Sequence, residues 1–445
     1  MKRMKLGRTR VALLAFAALS ASGCSIFKKG TPKTPVIGER VAVLTTEQDV
    51  VVDSATAALP MSLPEPIANT QWAQAGGNPS KSMGHLAIGQ SLGQAWTASV
   101  GAGGSVKGRL GAAPVAADGR VFTIDTQSTV RAFDARNGAE AWATQFGVEK
   151  ANRASLFGGG IAFDGGRIYA TNGIGYVAAL DARNGGIIWQ VHPGGPLRGS
   201  PTVNGDTLYV MSQDNQIYSL KTSDGSQNWS AAAALEIAGV FGSASPAVGQ
   251  GTVVAGFSSG ELNAYRYENG RLVWQDQLSR TSIQTSVASI SDVDANPVID
   301  SGQVIALGQG GRMVALELIS GQRQWELNLA GISTPWVVGD WAFVVTDDAR
   351  LIAVARNSGK IRWITQLAGF RNQKKKAGPI FYRGPVLAGG RLILVSSEGA
   401  LINVDPNNGA VQSQTSIGAP VTLSPVVANQ TLYVLDGNGR LHAFR

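Results

Sequence analysis

Short apolar runs recur along this chain, separated by polar turns rich in Gly, Asn and Asp, and one such phrase repeats. In Thr129 to Trp142 it reads TVRAFDARNGAEAW. It returns as YVAALDARNGGIIW to Trp189, QIYSLKTSDGSQNW to Trp229, ELNAYRYENGRLVW to Trp274, RMVALELISGQRQW to Trp325 and RLIAVARNSGKIRW to Trp363. A seventh copy, ALINVDPNNGAVQS, has Ser413 where tryptophan is due. An eighth, RLHAFR from Arg440 to Arg445, has the strand alone, and its missing complement reads LGQAW at Leu92 to Trp96. Self-similarity at a period of about 40 to 50 residues is the mark of a propeller or solenoid.

Two further strand series give the same count. RVFTID at Arg120, RIYATN at Arg167, TLYVMS at Thr207, TVVAGF at Thr252, QVIALG at Gln303, WAFVVT at Trp341, RLILVS at Arg391 and TLYVLD at Thr431 are rich in β-branched and aromatic residues. Before them stand innermost-strand candidates such as GSPTV, ASPAV, ANPVI and LSPVV, whose proline suits a strand start or an edge. The expected fold is all-β: an eight-bladed β-propeller of four-stranded antiparallel blades. An N-terminal strand joining the C-terminal blade closes the ring, so that no sheet edge is left between first and last blades.

The Asn-Gly pairs at Asn137, Asn184, Asn269 and Asn408 are expected to supply the positive φ of a tight hairpin between third and outer strands. Tryptophan four residues beyond the glycine then occupies a fixed place on the outer strand. Trp96, Trp142, Trp189, Trp229, Trp274, Trp325 and Trp363 are read as blade-packing residues, too regularly spaced for one ligand site.

With 44% hydrophobic and 15% charged residues the chain can bury a large core, and its 56 glycines fit many tight turns. Of the formal net charge of +8, five units come from Lys2, Arg3, Lys5, Arg8 and Arg10, which leaves +3 and gives no reason to expect nucleic acid as a partner. Those residues open a leader: a basic start, the apolar run Val11 to Leu19, then Ala21, Ser22 and Gly23 before Cys24, the single cysteine. ASGC resembles the bacterial lipobox, in which the cysteine is lipidated and becomes the first mature residue. The apolar run is too short to span a bilayer, so acyl chains would anchor the protein. The expected organisation is a lipoprotein signal peptide at 1–23, a lipidated N-terminus and extended tether at 24–68, and the propeller at 69–445. Within the tether, Glu39 to Asp53 has strand-like runs that fit either a docked segment or a plain linker.

Little points to chemistry. His85, His192 and His442 show no zinc-ligand spacing, no serine stands in a nucleophile elbow, and the glycine runs lack a phosphate-loop lysine. Asp134 and Asp181 recur with the blades and are read as turn acceptors. Two connections depart from the repeat and are better binding candidates. One contains Asp292 and Asp294 flanking a single valine. The other, after Trp363, contains Phe370, Arg371, Lys374, Lys375, Lys376, Phe381 and Tyr382.

The lipobox, the run NTQWAQAGGNPSKSMGH from Asn69 and the tryptophan-bearing blades together resemble the BamB family of outer-membrane assembly lipoproteins. The resemblance implies a non-catalytic scaffold on the periplasmic face of the outer membrane, with no cofactor and no metal. Its implied partners are BamA, other members of the β-barrel assembly machinery, unfolded outer-membrane proteins and, through the lipid anchor, the membrane itself. The family's acidic S-D-V-D segment is matched at Ser291 to Asp294, which implies that Asp292 and Asp294 face basic groups on BamA. A preceding apolar loop is matched by Leu235 to Pro246, where Leu235, Ile237, Val240 and Phe241 would supply burial. Better-known members carry an arginine in that loop, and this chain has none. The tryptophan-bearing blades also resemble quinone-dependent dehydrogenases, the alternative reading. Those enzymes are longer and usually carry a calcium-binding carboxylate set and, in many, an adjacent cysteine pair, which a single cysteine excludes.

Overall fold

In a computed structural model, residues 49–105, 108–149, 158–235, 244–279 and 291–445 are described. Eight four-stranded antiparallel sheets follow one another along the chain. Blade 1 is Val115–Ala117, Arg120–Ile124, Thr129–Asp134 and Glu140–Gln145, and blades 2 to 7 repeat that meander with first strands at Ile161–Asp164, Leu197–Asn204, Ala247–Gly249, Val298–Asp300, Trp336–Val338 and Tyr382–Ala388. Blade 8 is Val426–Ala428, Thr431–Leu435 and Arg440–Phe444, and its outer strand is Gln94–Ser99. Trp96 lies opposite Ala443 and Ser99 opposite Arg440, and Gly93 and Arg445 exchange backbone hydrogen bonds at 2.7 and 2.9 Å. The ring is therefore closed by pairing segments far apart in sequence, which leaves Arg440–Phe444 with partners on both sides instead of as a free edge.

The hairpins differ from the sequence expectation in one respect. Between third and outer strands only the glycine has positive φ, as at Gly138 (+74°) and Gly185 (+75°). Asn137 keeps an ordinary φ, and its Oδ1 accepts the Ala139 N–H at 3.0 Å while Gly138 N–H reaches the Asp134 carbonyl at 2.8 Å. This longer turn is accompanied by a register shift in the ladder beside it. Two-residue turns with positive φ at both positions occur instead between first and second strands, at Asp118-Gly119, Gly165-Gly166, Gln250-Gly251, Ser301-Gly302, Gly389-Gly390 and Asn429-Gln430.

Each outer-strand indole spans a junction. Trp96, Trp142, Trp189, Trp229, Trp274, Trp325 and Trp363 donate Nε1–H to the carbonyls of Ala135, Ala182, Thr222, Tyr267, Leu318, Arg356 and Pro406, each on the next blade, at 2.6–3.1 Å. The ring lies over the neighbour's turn glycine so closely that a Cβ on Gly138 would stand 2.5 Å from Trp96. The glycine is thus required twice, for its φ and for the approach of the indole. Ser413 stands at the junction with blade 8, whose third strand pairs with Gln94–Ser99 and so presents no hairpin turn for an indole to cover.

Strands in each blade alternate in direction. The first-to-second and third-to-outer turns therefore lie on one face of the ring, and the blade-to-blade connections on the other. The chain from Asp49, within the stretch expected as tether, lies along blade 6. Helix α1, Ser54–Ala58, is capped by Asp53, whose Oδ1 accepts from Thr56 N at 2.8 Å. Asp53 N–H donates to Ile361 O at 2.9 Å and Arg350 pairs with Asp49 at 2.8 Å. No helix among the described residues is long and apolar enough to cross a membrane.

Candidate functional site

Residues Asn69 to Leu86 cross the turn-bearing face and meet every blade in ring order. The Asn69 carbonyl accepts from Asn429 N on blade 8 (2.8 Å), Trp72 exchanges backbone bonds with Ala116 on blade 1, and Ala73 O accepts from Phe163 N on blade 2 (2.6 Å). The Gln74 amide pairs with both backbone groups of Val203 on blade 3. Pro79 O and Ser80 O then accept from Val248 N on blade 4 (2.9 Å) and Ile299 N on blade 5 (2.8 Å). Gly84 O accepts from Trp336 Nε1 on blade 6 at 2.9 Å. Leu86 ends the circuit on Leu387 and Gly389 of blade 7. His85 beside it is buried, its Nε2 accepting from Gly390 N–H at 2.9 Å and its Nδ1 lying 2.7 Å from Pro64 O.

Above this cap lies a cavity of about 160 Å³ in the axis of the ring, lined by the cap and by the first strands or their leads from seven blades. Its floor includes Lys81, which is 3% exposed and hydrogen bonds Thr202 Oγ1 at 2.9 Å. Burial pushes the Lys81 amine down to about 7.

Asp292 does not present its charge to solvent. It is 0% exposed and pairs with Arg198 at 3.5 Å, while its carbonyl accepts Gln309 N–H at 2.9 Å. The expectation that it faces a partner from the surface is corrected accordingly: an ionised carboxylate in the interior needs a cation, and Arg198 on the first strand of blade 3 supplies it. Asp294, two residues on, projects to the cavity wall with both carboxylate oxygens shielded from solvent and without a hydrogen-bond partner. Burial, reinforced by Asp292, pushes its carboxyl up to about 7, with Arg198 and Arg383 opposing. Arg383 lines the same cavity and donates from Nε to Thr422 O at 2.9 Å and from Nη1 to Tyr382 O at 3.3 Å. Asp347, near Arg383, also has its carboxyl raised by burial.

Of the apolar residues expected beside the aspartates, Leu235 is 73% exposed on the connection-bearing face. Ile237, Val240, Phe241 and Cys24 lie outside the described residues. The second irregular connection forms a hairpin, Phe370–Asn372 with Ala377–Pro379, whose tip carries Lys374, Lys375 and Lys376 exposed. Asp134 Oδ1 and Asp181 Oδ1 accept the N–H of Arg136 and Arg183 within their turns, and the Arg136 guanidinium holds the Asp134 carboxyl down to about 2. Among the described residues no group of three or more His, Cys, Asp and Glu side chains could hold a metal ion.

Sequence reasoning passed over Lys81, Arg198 and Arg383. For the two arginines a signal existed: both precede glycine and then proline at the start of a first strand, LRGSP in blade 3 and YRGP in blade 7, blades that face each other across an eight-membered ring.

The family profile described as outer membrane protein assembly factor BamB matches residues 126–365 and 369–445. Outer membrane protein assembly factor BamB of Vibrio cholerae is 30% identical over 350 residues, which span 78% of this chain and 86% of that protein. Among solved structures, BamB from Moraxella catarrhalis superposes with a TM-score of 0.67 at 17% identity, covering 80% of this chain and all of that one. A europium-containing methanol dehydrogenase does so with the same TM-score at 14% identity, covering 84% and 98%. At such identities the superpositions speak for the propeller alone.

Proposed function

The chain belongs to the family of outer membrane protein assembly factor BamB, and we propose that it serves there as a non-catalytic, lipid-anchored scaffold at the periplasmic face of the outer membrane. In this reading it holds the periplasmic domains of BamA and aids folding and insertion of outer-membrane proteins. The observation that carries the proposal is the asymmetry of the ring. One face is sealed by Asn69–Leu86 through contacts with all eight blades, while the other carries, among the described residues, exposed Leu235 and the Lys374–Lys376 hairpin. Large exposed apolar side chains beside long loops on a rigid frame are where partners dock.

Leu235 supplies apolar contact in this reading, and Asp292 acts from within by fixing Arg198 and the segment that leads to blade 5. Cys24 carries the acyl chains. In-membrane photocrosslinking from position 235 tests the proposal. BamA is the expected adduct, and capture of an unrelated protein in its place would remove the assignment.

Client strands have a place on the same frame. The outer strand of blade 7, Val411–Ser416, is exposed at all six residues, uncharged and without tryptophan. An extended segment of an unfolded outer-membrane protein can add there as a fifth strand. Slowed amide exchange confined to residues 411–416 on adding a barrel-strand peptide is the expected result, and unchanged exchange there would count against it.

A further inference from the structure

The cavity above the cap contains an acceptor that the fold does not use. Both oxygens of Asp294 are shielded from water and accept no hydrogen bond. Buried polar atoms are normally satisfied, and one that is not calls for a ligand, an ion or an ordered water. Asp292 beside it is engaged by Arg198, so the two carboxylates are not equivalent. Arg383 stands in the same lining and forms no salt bridge with Asp294, although each bears on the other's charge. Its Nε and Nη1 are turned to backbone carbonyls, which leaves the guanidinium edge at Nη2 for another acceptor. A water-shielded carboxylate and a half-buried guanidinium, separated within one cavity, are therefore matched by a molecule bearing the opposite pair.

We propose that the axial cavity is a binding site for a small zwitterion of amino-acid size, which sets an ammonium or guanidinium group on Asp294 and a carboxylate on Arg383. A volume of about 160 Å³ has room for on the order of ten waters, enough for a solute of that size but not for a folded partner. Lys81 below binds Thr202 and provides a polar floor. The cap closes the cavity on the turn-bearing face. This inference is independent of the scaffold role, since it concerns the isolated ring and a small molecule.

Ionisation gives the site a pH signature. The groups bearing on Asp294 are Asp292, Arg198, Arg383 and Asp347, with Lys81 in the same lining. Because the Asp294 carboxyl is held at about 7, a cationic ligand competes with a proton below that pH. Affinity should fall roughly tenfold from pH 8 to pH 6, following the ionised fraction.

Titration calorimetry of the purified full-length lipoprotein in detergent, with L-arginine as probe, tests the site. Agmatine lacks the carboxylate and acetate lacks the cation, so each should bind at least tenfold more weakly than L-arginine. Asp294→Asn should abolish saturable binding, Arg383→Gln should weaken it to the level of agmatine, and Asp134→Asn on the opposite face should leave it unchanged. If Arg383→Gln fails to fold, the comparison of L-arginine with agmatine on the unaltered protein decides the carboxylate end. Absence of saturable heat with the unaltered protein would overturn the proposal and assign Asp294 to water. Equal affinity in Asp294→Asn would also overturn it. Neither result bears on capture of BamA from position 235, so the two readings fail separately.

Discussion

The Trp96 indole donates to the Ala135 carbonyl at 3.1 Å, so the strand that closes blade 8 also ties that blade to blade 1. The same carbonyl is reached by the Arg445 guanidinium. Trp96→Ala removes an 8%-exposed indole and its hydrogen bond, and should cost roughly 3–5 kcal/mol. Equilibrium denaturation would show it as a large fall in the midpoint. Ser413→Trp is the converse. The new indole would meet no hairpin turn on blade 8, so stability should change by no more than about 0.5 kcal/mol.

Replacing Asp292 tests its burial. Asp292→Asn leaves Arg198 charged in the interior and should destabilise the ring by roughly 3–5 kcal/mol. Replacing Arg198 by Met in the same chain should recover part of that loss. A surface aspartate would give a change near zero, so thermal melts of the two variants separate the alternatives.

Lys81 gives stability a dependence on pH. Burial holds its amine at about 7 in the folded chain, whereas an unfolded chain keeps the proton to about 10.4. Between those values the unfolded state binds the extra proton, so this group makes the protein more stable as pH rises through that window, with no further gain beyond it. Lys81→Met should flatten that rise in a series of chemical denaturations between pH 7 and 10.

Cys24 is open to a direct measurement. Growth on labelled palmitate should mark the protein, and Cys24→Ala should abolish the label and release the chain from the membrane fraction. Label retained in the variant would place acylation elsewhere.

The ring was legible because its signal is local and repeated. Apolar strand, turn glycine and tryptophan recur together, and Trp96 could be matched to Arg440–Arg445 because each half lacked what the other carried. The turn geometry was less legible: Asn-Gly reads as a two-residue hairpin, but Asn137 uses its side chain rather than its φ. The cap was not legible at all, since Asn69–Leu86 bonds to eight strands remote in sequence, often through a single backbone contact each. Asp292 and Asp294 looked like surface charges for the same reason. Arg198, which pairs with Asp292, and Arg383, which shares the cavity of Asp294, stand on other blades, and no spacing within Ser291–Asp294 announces either.

Closure by Gln94–Ser99 also orders events in time. That strand is synthesised before any of the seven complete blades, yet its partner, Arg440–Phe444, is made after all of them. Until then a short, tryptophan-bearing segment waits unmatched at the leading end while the remainder assembles behind it. The slowest step of maturation should accordingly be the final docking, a contact that spans most of the sequence.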